Sequence, residues 1–301
     1  MEFLVAGVSV NPFLLAGIGL VVGIMGGFFG VGGGFIAGPL MFWMGVPMNF
    51  VVGTDLAHMT GKSIVAAKRH RTLGHVDIKL GLIMIAGTIL GVECGARLIE
   101  ILEARGIVDT AVGSAYMVIL LAISIFTCWE SLRAIRMIRT EHLDVKDALG
   151  FKGVTKYVQK FQVPPMISLP ASGIGSISVW PILGVGLFTG LLAGVLGVGG
   201  GFVRMPMLIY LLGIPTHVAI GTDLFEIMIS AGFGTVTHAI KGNVDVIMAL
   251  VMQTGAAFGA QIGAVLTRYF SGPRIRLAFS ALPLIGVLMV LFRLTGGGAA
   301  H

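Results

Sequence analysis

Three ionisable residues, Asp55, His58 and Lys62, interrupt an apolar stretch at i, i+3 and i+7, a spacing that puts them on one face of a helix. Asp223, Glu226 and Ser230 repeat that spacing far downstream. Inside a membrane span such groups are costly and face a cavity or one another. A carboxylate in that setting can carry a proton, which makes Asp55, Asp223 and Glu226 candidates for proton coupling. The plainer reading of the two aspartates is helix N-capping, because each follows Gly-Thr. His58 and Lys62 do not suit a cap. For His58 the plain alternative is a quiet core histidine.

The second constellation is made of glycine. "GFFGVGGGF" at Gly27–Phe35 returns as "GVLGVGGGF" at Gly194–Phe202. Glycine is a poor helix former, so each cluster breaks a helix or admits something close to the backbone. A dinucleotide fingerprint fails, because Phe35 stands where the last glycine of G-x-G-x-x-G belongs. No Lys-Ser/Thr follows to complete a phosphate loop. Close helix packing is the bland reading. Three consecutive glycines exceed that need and leave free N–H groups at the start of the next helix. Half-helices whose N-termini face an anion near the bilayer midplane recur in transporters built from inverted repeats. Gly32, Gly33, Gly34, Gly199, Gly200 and Gly201 are therefore candidate substrate-binding positions, together with His58, Lys62 and Arg204. Arg204 stands three residues beyond the second triplet, where an arginine either snorkels to a headgroup or holds an anion.

The elements that must position these groups are membrane helices. Of 301 residues, 56% are hydrophobic and 11% charged, with mean hydropathy +0.97; soluble domains carry roughly 25% charged residues. Apolar runs approaching the ~20 residues of a bilayer crossing recur along the chain. The expected fold is an all-α polytopic membrane protein, since a β-barrel needs alternating segments of about ten residues. The formal charge of +6 comes from basic residues flanking apolar spans, which indicates topology rather than nucleic acid. "MEFLVAGVSVNPFLL" has no basic n-region, so no cleaved signal peptide is expected. Cys94 and Cys128 have no C-x-x-C spacing and read as packing residues.

Gly17–Phe35 aligns with Gly184–Phe202, and "VGTDL" at Val52 with "IGTDL" at Ile220. The match runs on through His70 and His238, Asp77 and Asp245, and Gly91 and Gly259. The expected organisation is a first repeat over 1–138, a polar cytoplasmic linker over 139–180 and a second repeat over 181–301. Elements are predicted at about 10–29, 34–45, 49–70, 78–98 and 110–137, then 181–197, 202–213, 217–239, 245–266 and 274–293. As one helix, 182–213 would be ~48 Å long against a hydrocarbon core of ~30 Å, so it must break at the glycines. The two pieces either both cross or form a re-entrant pair. Both options change sides an odd number of times per copy, which inverts one repeat relative to the other. "KRHR" and the Lys/Arg-rich linker place the linker inside. Within it, "MISLPASGIGSISVW" alternates around a Gly-rich centre, the pattern of a small hairpin. The rows Gly87, Gly91, Gly95 and Gly255, Gly259, Gly263 read as helix-packing stripes, and Glu93 with Arg97 as a local ion pair.

Two copies of G-[FV]-x-G-V-G-G-G-F-x-x-x-P, each followed by G-[IV]-P and G-T-D-L, resemble the sulfite exporter family of the TauE/SafE type. The resemblance covers both repeats. It implies a permease that moves sulfite, sulfonates or related organosulfur anions, usually outward, in the cell (inner) membrane of a prokaryote. Many members carry Ser where this chain has Asp55 and Asp223. The expected function is a gradient-coupled secondary transporter and not an enzyme, with a small anion and the lipid bilayer as partners. No cofactor, metal or nucleic acid is expected. Two other classes stay open. One is a membrane-embedded aspartyl hydrolase with Asp55 and Asp223 as its dyad, although "VGTD" lacks the second glycine of G-x-G-D. The other is a signalling or scaffold component that moves no solute.

Overall fold

The computed structural model describes residues 2–3, 5–105, 108–141, 152–196 and 200–292. Helices dominate, as the composition requires. In order they are α1 (Pro12–Phe29), α2 (Gly34–Trp43), α3 (Met48–Thr72), α4 (Ile78–Ala104) and α5 (Val108–Glu141). Then come α6 (Lys152–Lys160), α7 (Val179–Leu196), α8 (Gly201–Pro206), α9 (Thr216–Ile240), α10 (Val246–Leu266) and α11 (Gly272–Phe292). The chain of α8 continues as a π-helical segment, Met207–Leu212. The described residues also form two hairpins: β1 (Glu2–Phe3) with β2 (Val8–Ser9), and β3 (Met166–Leu169) with β4 (Ile174–Ser178). The second is the hairpin expected within the linker. Among the described residues, five helices are long and apolar enough to cross a membrane.

Local chemistry sets the breaks. Asn11 caps α1 by accepting from the Phe13 N–H at 2.9 Å, with Pro12 in the first turn. Gly30, at φ 80°, closes α1 through its N–H on the Gly26 carbonyl, a conformation an L side chain resists. α2 then starts beside the middle of the bundle, since a Cβ on Gly33 would stand 2.6 Å from Val22 Cγ1 and 3.3 Å from Lys62 Nζ. By Gly38 the helix lies against Val51 near the start of α3. At about 15 Å, α2 is half a crossing. α8 with its π-helical continuation is the counterpart, running from Gly201 to Gly213.

The helices pair crosswise between the two halves of the chain. Gly19, Gly23 and Gly27 of α1 lie against the backbone of Met252, Ala256 and Ala260 of α10. Gly186, Gly190 and Gly194 of α7 lie in the same way against Met84, Thr88 and Val92 of α4. The stripes expected to pack do so from the other side: Gly255, Gly259 and Gly263 meet Ala16, Leu20 and Ile24, while Gly87, Gly91 and Gly95 meet Leu183, Leu187 and Leu191. Bare glycine faces let two backbones touch, the van der Waals contact that joins helices where lipid removes the hydrophobic drive. Numbers climb together in each pair, so α1 runs parallel to α10 and α4 parallel to α7. α3 and α9 cross in opposite directions, with Gly53 on Asn243, Leu56 beside Gly234 and Gly221 beside His70. α5 and α11 are also antiparallel, joined by Ser124 to the Ser280 carbonyl and by Arg276 to Glu130.

The helix caps repeat the crosswise pattern. Asp77 caps α4, accepting from the Leu80 N–H at 3.2 Å, while its own N–H donates to Thr222 Oγ1 at 2.9 Å. Asp245 caps α10, accepting from Met248, while its N–H donates to Thr54 Oγ1 at 3.0 Å. The second oxygen of each carboxylate accepts from the opposite half's hairpin, Ser172 Oγ on Asp77 and the Ala6 N–H on Asp245. Each cap contributes about 1 kcal/mol and binds one half to the other. Asp55 and Asp223 are not caps: they lie well inside α3 and α9, which begin after Pro47 and Pro215.

Candidate functional site

α3 and α9 cross where the two glycine loops arrive. Gly32 and Gly33, at φ 69° and 74°, carry the chain from α1 into α2, whose first residue is Gly34. Gly200, at φ 67°, does the same before α8, whose first residue is Gly201; Gly199 lies outside the described residues. The loops meet: a Cβ on Gly201 would stand 3.0 Å from Val31 Cα and 2.8 Å from Asp223 Oδ2. Ile227 lies against both Gly32 and Gly201. The half-helices thus start at the centre and run to opposite ends of the molecule.

Two buried polar nodes flank this meeting point. In the first, on α3, His58 Nδ1 lies 3.3 Å from Asp55 Oδ1 and 3.4 Å from Lys62 Nζ. The i, i+3, i+7 spacing does put all three on one face, and none is more than 2% exposed. Lys62 Nζ also lies beside Gly33, so the ammonium borders the mouth of α2. Its one hydrogen-bond partner among the described residues is His58, which leaves donors to spare.

The second node is arranged differently. Arg204, on α8 and fully buried, donates through Nη1 to Asp223 Oδ1 at 2.9 Å and to Glu226 Oε2, and through Nε to Thr189 Oγ1 at 3.1 Å. Ser230 Oγ donates to Glu226 Oε2 at 3.2 Å. The guanidinium that sequence assigns to an anion or a headgroup is held by two carboxylates of its own chain. Formally the node has one positive and two negative charges. The first has one of each, plus an imidazole. The difference follows from the aligned residues: Arg204 replaces Ala37, Glu226 replaces His58 and Ser230 replaces Lys62.

Buried polar atoms in native proteins nearly always find partners, and those that do not ask for an explanation. Among the described residues His58 Nε2, Arg204 Nη2 and Asp223 Oδ2 have none within the chain. They lie on the α3 and α9 faces and the half-helix that border the glycine loops. The arrangement offers donors, an ammonium and a guanidinium in one low-dielectric place, with carboxylates able to compete for the guanidinium. That is chemistry for holding and releasing a small anion.

The family profile described as "Sulfite exporter TauE/SafE" matches residues 15–290, which takes in both glycine loops and both nodes. The chain belongs to the sulfite exporter TauE/SafE family. Its relatives include the "Probable membrane transporter protein YunE" of Bacillus subtilis, 28% identical over 85% of this chain and 88% of the relative. A "Probable membrane transporter protein" of Methanocaldococcus jannaschii is 23% identical over 92% of this chain and 95% of its own. "Sulfite exporter TauE/SafE family protein 3" of Arabidopsis thaliana is 28% identical over 46% of this chain and 28% of its own. No solved structure matches the chain significantly. This TauE/SafE family member is thus a multi-pass membrane protein of a transporter family.

Sequence reasoning missed parts of this interior. Thr189, which holds Arg204 Nε, is legible only as a polar residue aligned with Val22. A further buried node joins α5, α11 and the π-helical segment: Glu130 accepts from Tyr210 Oη at 2.7 Å and from Arg276 Nε and Nη2 at 3.2 Å. Arg276 also donates to Thr216 Oγ1 at 2.8 Å. Glu130 in an apolar helix was the available signal. Glu93 and Arg97 form the expected pair at 3.0 Å, exposed on α4.

Proposed function

We propose that this family member is a gradient-coupled secondary transporter, working as an exporter, for small anions such as sulfite, sulfonates or related organosulfur compounds. The observation that carries the reading is the meeting of two glycine loops at the centre, from which two half-helices run to opposite ends, beside Lys62 and Arg204. At the start of α2 the Ile36 and Ala37 N–H groups turn onto the Gly33 carbonyl, and the positive end of the helix dipole lies there, which favours an anion. In this reading Gly32–Gly34, Gly199–Gly201, His58, Lys62 and Arg204 hold the substrate. Asp55, Asp223 and Glu226 take up protons.

The second node supports a link between the two roles. Two carboxylates on one guanidinium leave an uncompensated negative charge in the interior, and a proton removes it. Protonation weakens the hold on Arg204 and frees its donors for an anion. An inside-negative potential drives an anion outward by about 2.3 kcal/mol per charge per 100 mV, a gradient on which export can draw. The reading also takes the two halves as inverted repeats, with the 139–180 linker on the cytoplasmic side of the cell membrane. The crosswise pairing, parallel for α1 with α10 and antiparallel for α3 with α9, supports a two-fold axis lying across the helices.

The test is binding followed by flux. Purified protein is screened by thermal shift against sulfite, thiosulfate, taurine, sulfoacetate and phosphate. Anions that stabilise it are then assayed for efflux from proteoliposomes. A sulfur oxyanion or sulfonate should stabilise the protein and move with an imposed potential. Stabilisation by none of them, or binding without flux, refutes the reading.

A further inference from the structure

We infer that α6 is a membrane-surface helix that docks into an anionic lipid leaflet and thereby fixes the end of the half-helix bearing Arg204. The inference does not rest on what the protein transports. α6 has three faces at helical spacing. Thr155, Val158 and Gln159 face the protein: Thr155 Oγ1 donates to the Tyr210 carbonyl at 2.9 Å and Gln159 Nε2 to the Leu212 carbonyl at 3.0 Å, while Val158 joins the core. These two bonds reach carbonyls in the last turn of the π-helical segment, where helical partners run out. Gly213, at φ 81°, brings the chain against Thr155, where a side chain would not fit.

The second face is apolar and uncovered. Val154, Tyr157 and Phe161, at i, i+3 and i+7, are 40%, 80% and 47% exposed. Beyond them Val163 is exposed as well. The third face carries exposed Lys156 and Lys160 at i, i+4. An apolar stripe beside a basic one, on a helix too short to span, is the pattern of a helix lying in the headgroup region.

The neighbours fix its occupant. α6 follows α5 and precedes α7, two apolar helices, so it lies at the end of the bundle where both meet the surface. The same end exposes Trp180 on α7, whose Nε1 donates to the Pro164 carbonyl at 2.9 Å. On α5 it exposes Trp129, with Arg133 5.6 Å above the ring, and Arg136 one turn further. Indoles and guanidinium groups in that combination mark the headgroup level of a leaflet. The charge complement of Lys156, Lys160, Arg133 and Arg136 is lipid phosphate.

The test uses the full chain in vesicles. Cys94 and Cys128 are replaced by Ser, Tyr157→Cys is labelled with a fluorophore, and quenching by headgroup-nitroxide lipid is compared with quenching by aqueous iodide. In phosphatidylglycerol-containing vesicles the nitroxide should quench and iodide should not. A surface lysine contributes roughly fivefold to binding an anionic leaflet, so Lys156→Gln with Lys160→Gln should lower the docked-to-undocked ratio roughly twenty-five-fold. Lys156→Arg with Lys160→Arg should restore it, and pure phosphatidylcholine should mimic the Gln pair. Iodide quenching of the wild type in anionic vesicles, or nitroxide quenching insensitive to both lysines and lipid charge, overturns the inference.

Discussion

Removing the positive charge from the second node and removing one of its negative charges should have unequal costs. Arg204, Asp223 and Glu226 are all fully buried, and one guanidinium nitrogen serves both carboxylates. Arg204→Gln leaves two carboxylates facing each other without a cation. Truncating one partner of a buried ion pair costs roughly 3–5 kcal/mol, chiefly the penalty of stranding the other. Glu226→Gln instead leaves Arg204 and Asp223, 2.9 Å apart, as a balanced pair. The new amide oxygen can still accept from the guanidinium, so the cost should stay within about 1 kcal/mol. The assay is thermal unfolding in detergent, followed by intrinsic fluorescence. At roughly 2 °C per kcal/mol for a chain of this size, Arg204→Gln should lower Tm by about 6–10 °C and Glu226→Gln by no more than about 2 °C. The uncharged triple variant Arg204→Gln, Asp223→Asn, Glu226→Gln should recover most of the first loss. Equal losses for Arg204→Gln and Glu226→Gln would refute the charge argument, because they would mean that shape rather than charge balance holds the node.

Asp223→Asn should flatten the pH dependence of transport while the protein stays folded; an unchanged pH profile removes Asp223 from coupling. Gly33→Ala, at φ 74° with its Cβ directed at Val22 and 3.3 Å from Lys62 Nζ, should abolish anion-induced stabilisation at an apo cost of about 1–2 kcal/mol. Gly91→Ala drives a methyl into the backbone of Leu187 and Leu191, so it should cost about 1–3 kcal/mol and keep the anion response; the reverse ranking in thermal shifts would contradict both assignments. Ser9→Cys in a cysteine-free background should label from outside intact cells and Ser176→Cys should not; labelling at 176 would end the topology. Burial, with His217 and Arg268 nearby, pushes the pKa of His75 in the α3–α4 turn below its ordinary 6.5. The folded state then binds that proton less well than the unfolded chain, so stability present above pH 6.5 is lost as pH falls below it. His75→Asn should blunt the acid-side loss of Tm; identical acid curves would count against it.

What the sequence made legible is what one helix determines for itself. Apolar runs, glycine breaks and the spacing of Asp55, His58 and Lys62 placed the helices outside the 139–180 linker to within a few residues at most ends and put those three side chains together. α6, inside that linker, was not predicted. The Gly87–Gly95 and Gly255–Gly263 rows announced that they pack, but not on what. A small-residue stripe specifies a close approach and leaves the partner open, so the exchange of α1 onto α10 and of α7 onto α4 could not be read. Arg204 shows the same limit: its carboxylate partners lie 19 and 22 residues away on another helix. The caps illustrate a different one. Thr-Asp after glycine fits the local pattern at Asp55 and Asp223, yet Pro47 and Pro215 start those helices earlier, and Asp77 and Asp245 do the capping.

The pairing of α1 with α10 also sets the order in which the protein can be made. α1 emerges well before α10, and the surface that buries Gly19, Gly23 and Gly27 is supplied by residues near Met252 to Ala260. At translation rates of about 5–20 residues per second, α1 waits roughly ten to fifty seconds for its partner. α4 meets α7 sooner, so the α4–α7 seam closes before α10 exists. During that interval the bare glycine face of α1 is filled by lipid or by the insertion machinery, and α10 must displace it. A nascent chain stalled after α9 still carries this open seam, and the interval of exposure ends only when α10, Val246–Leu266, emerges.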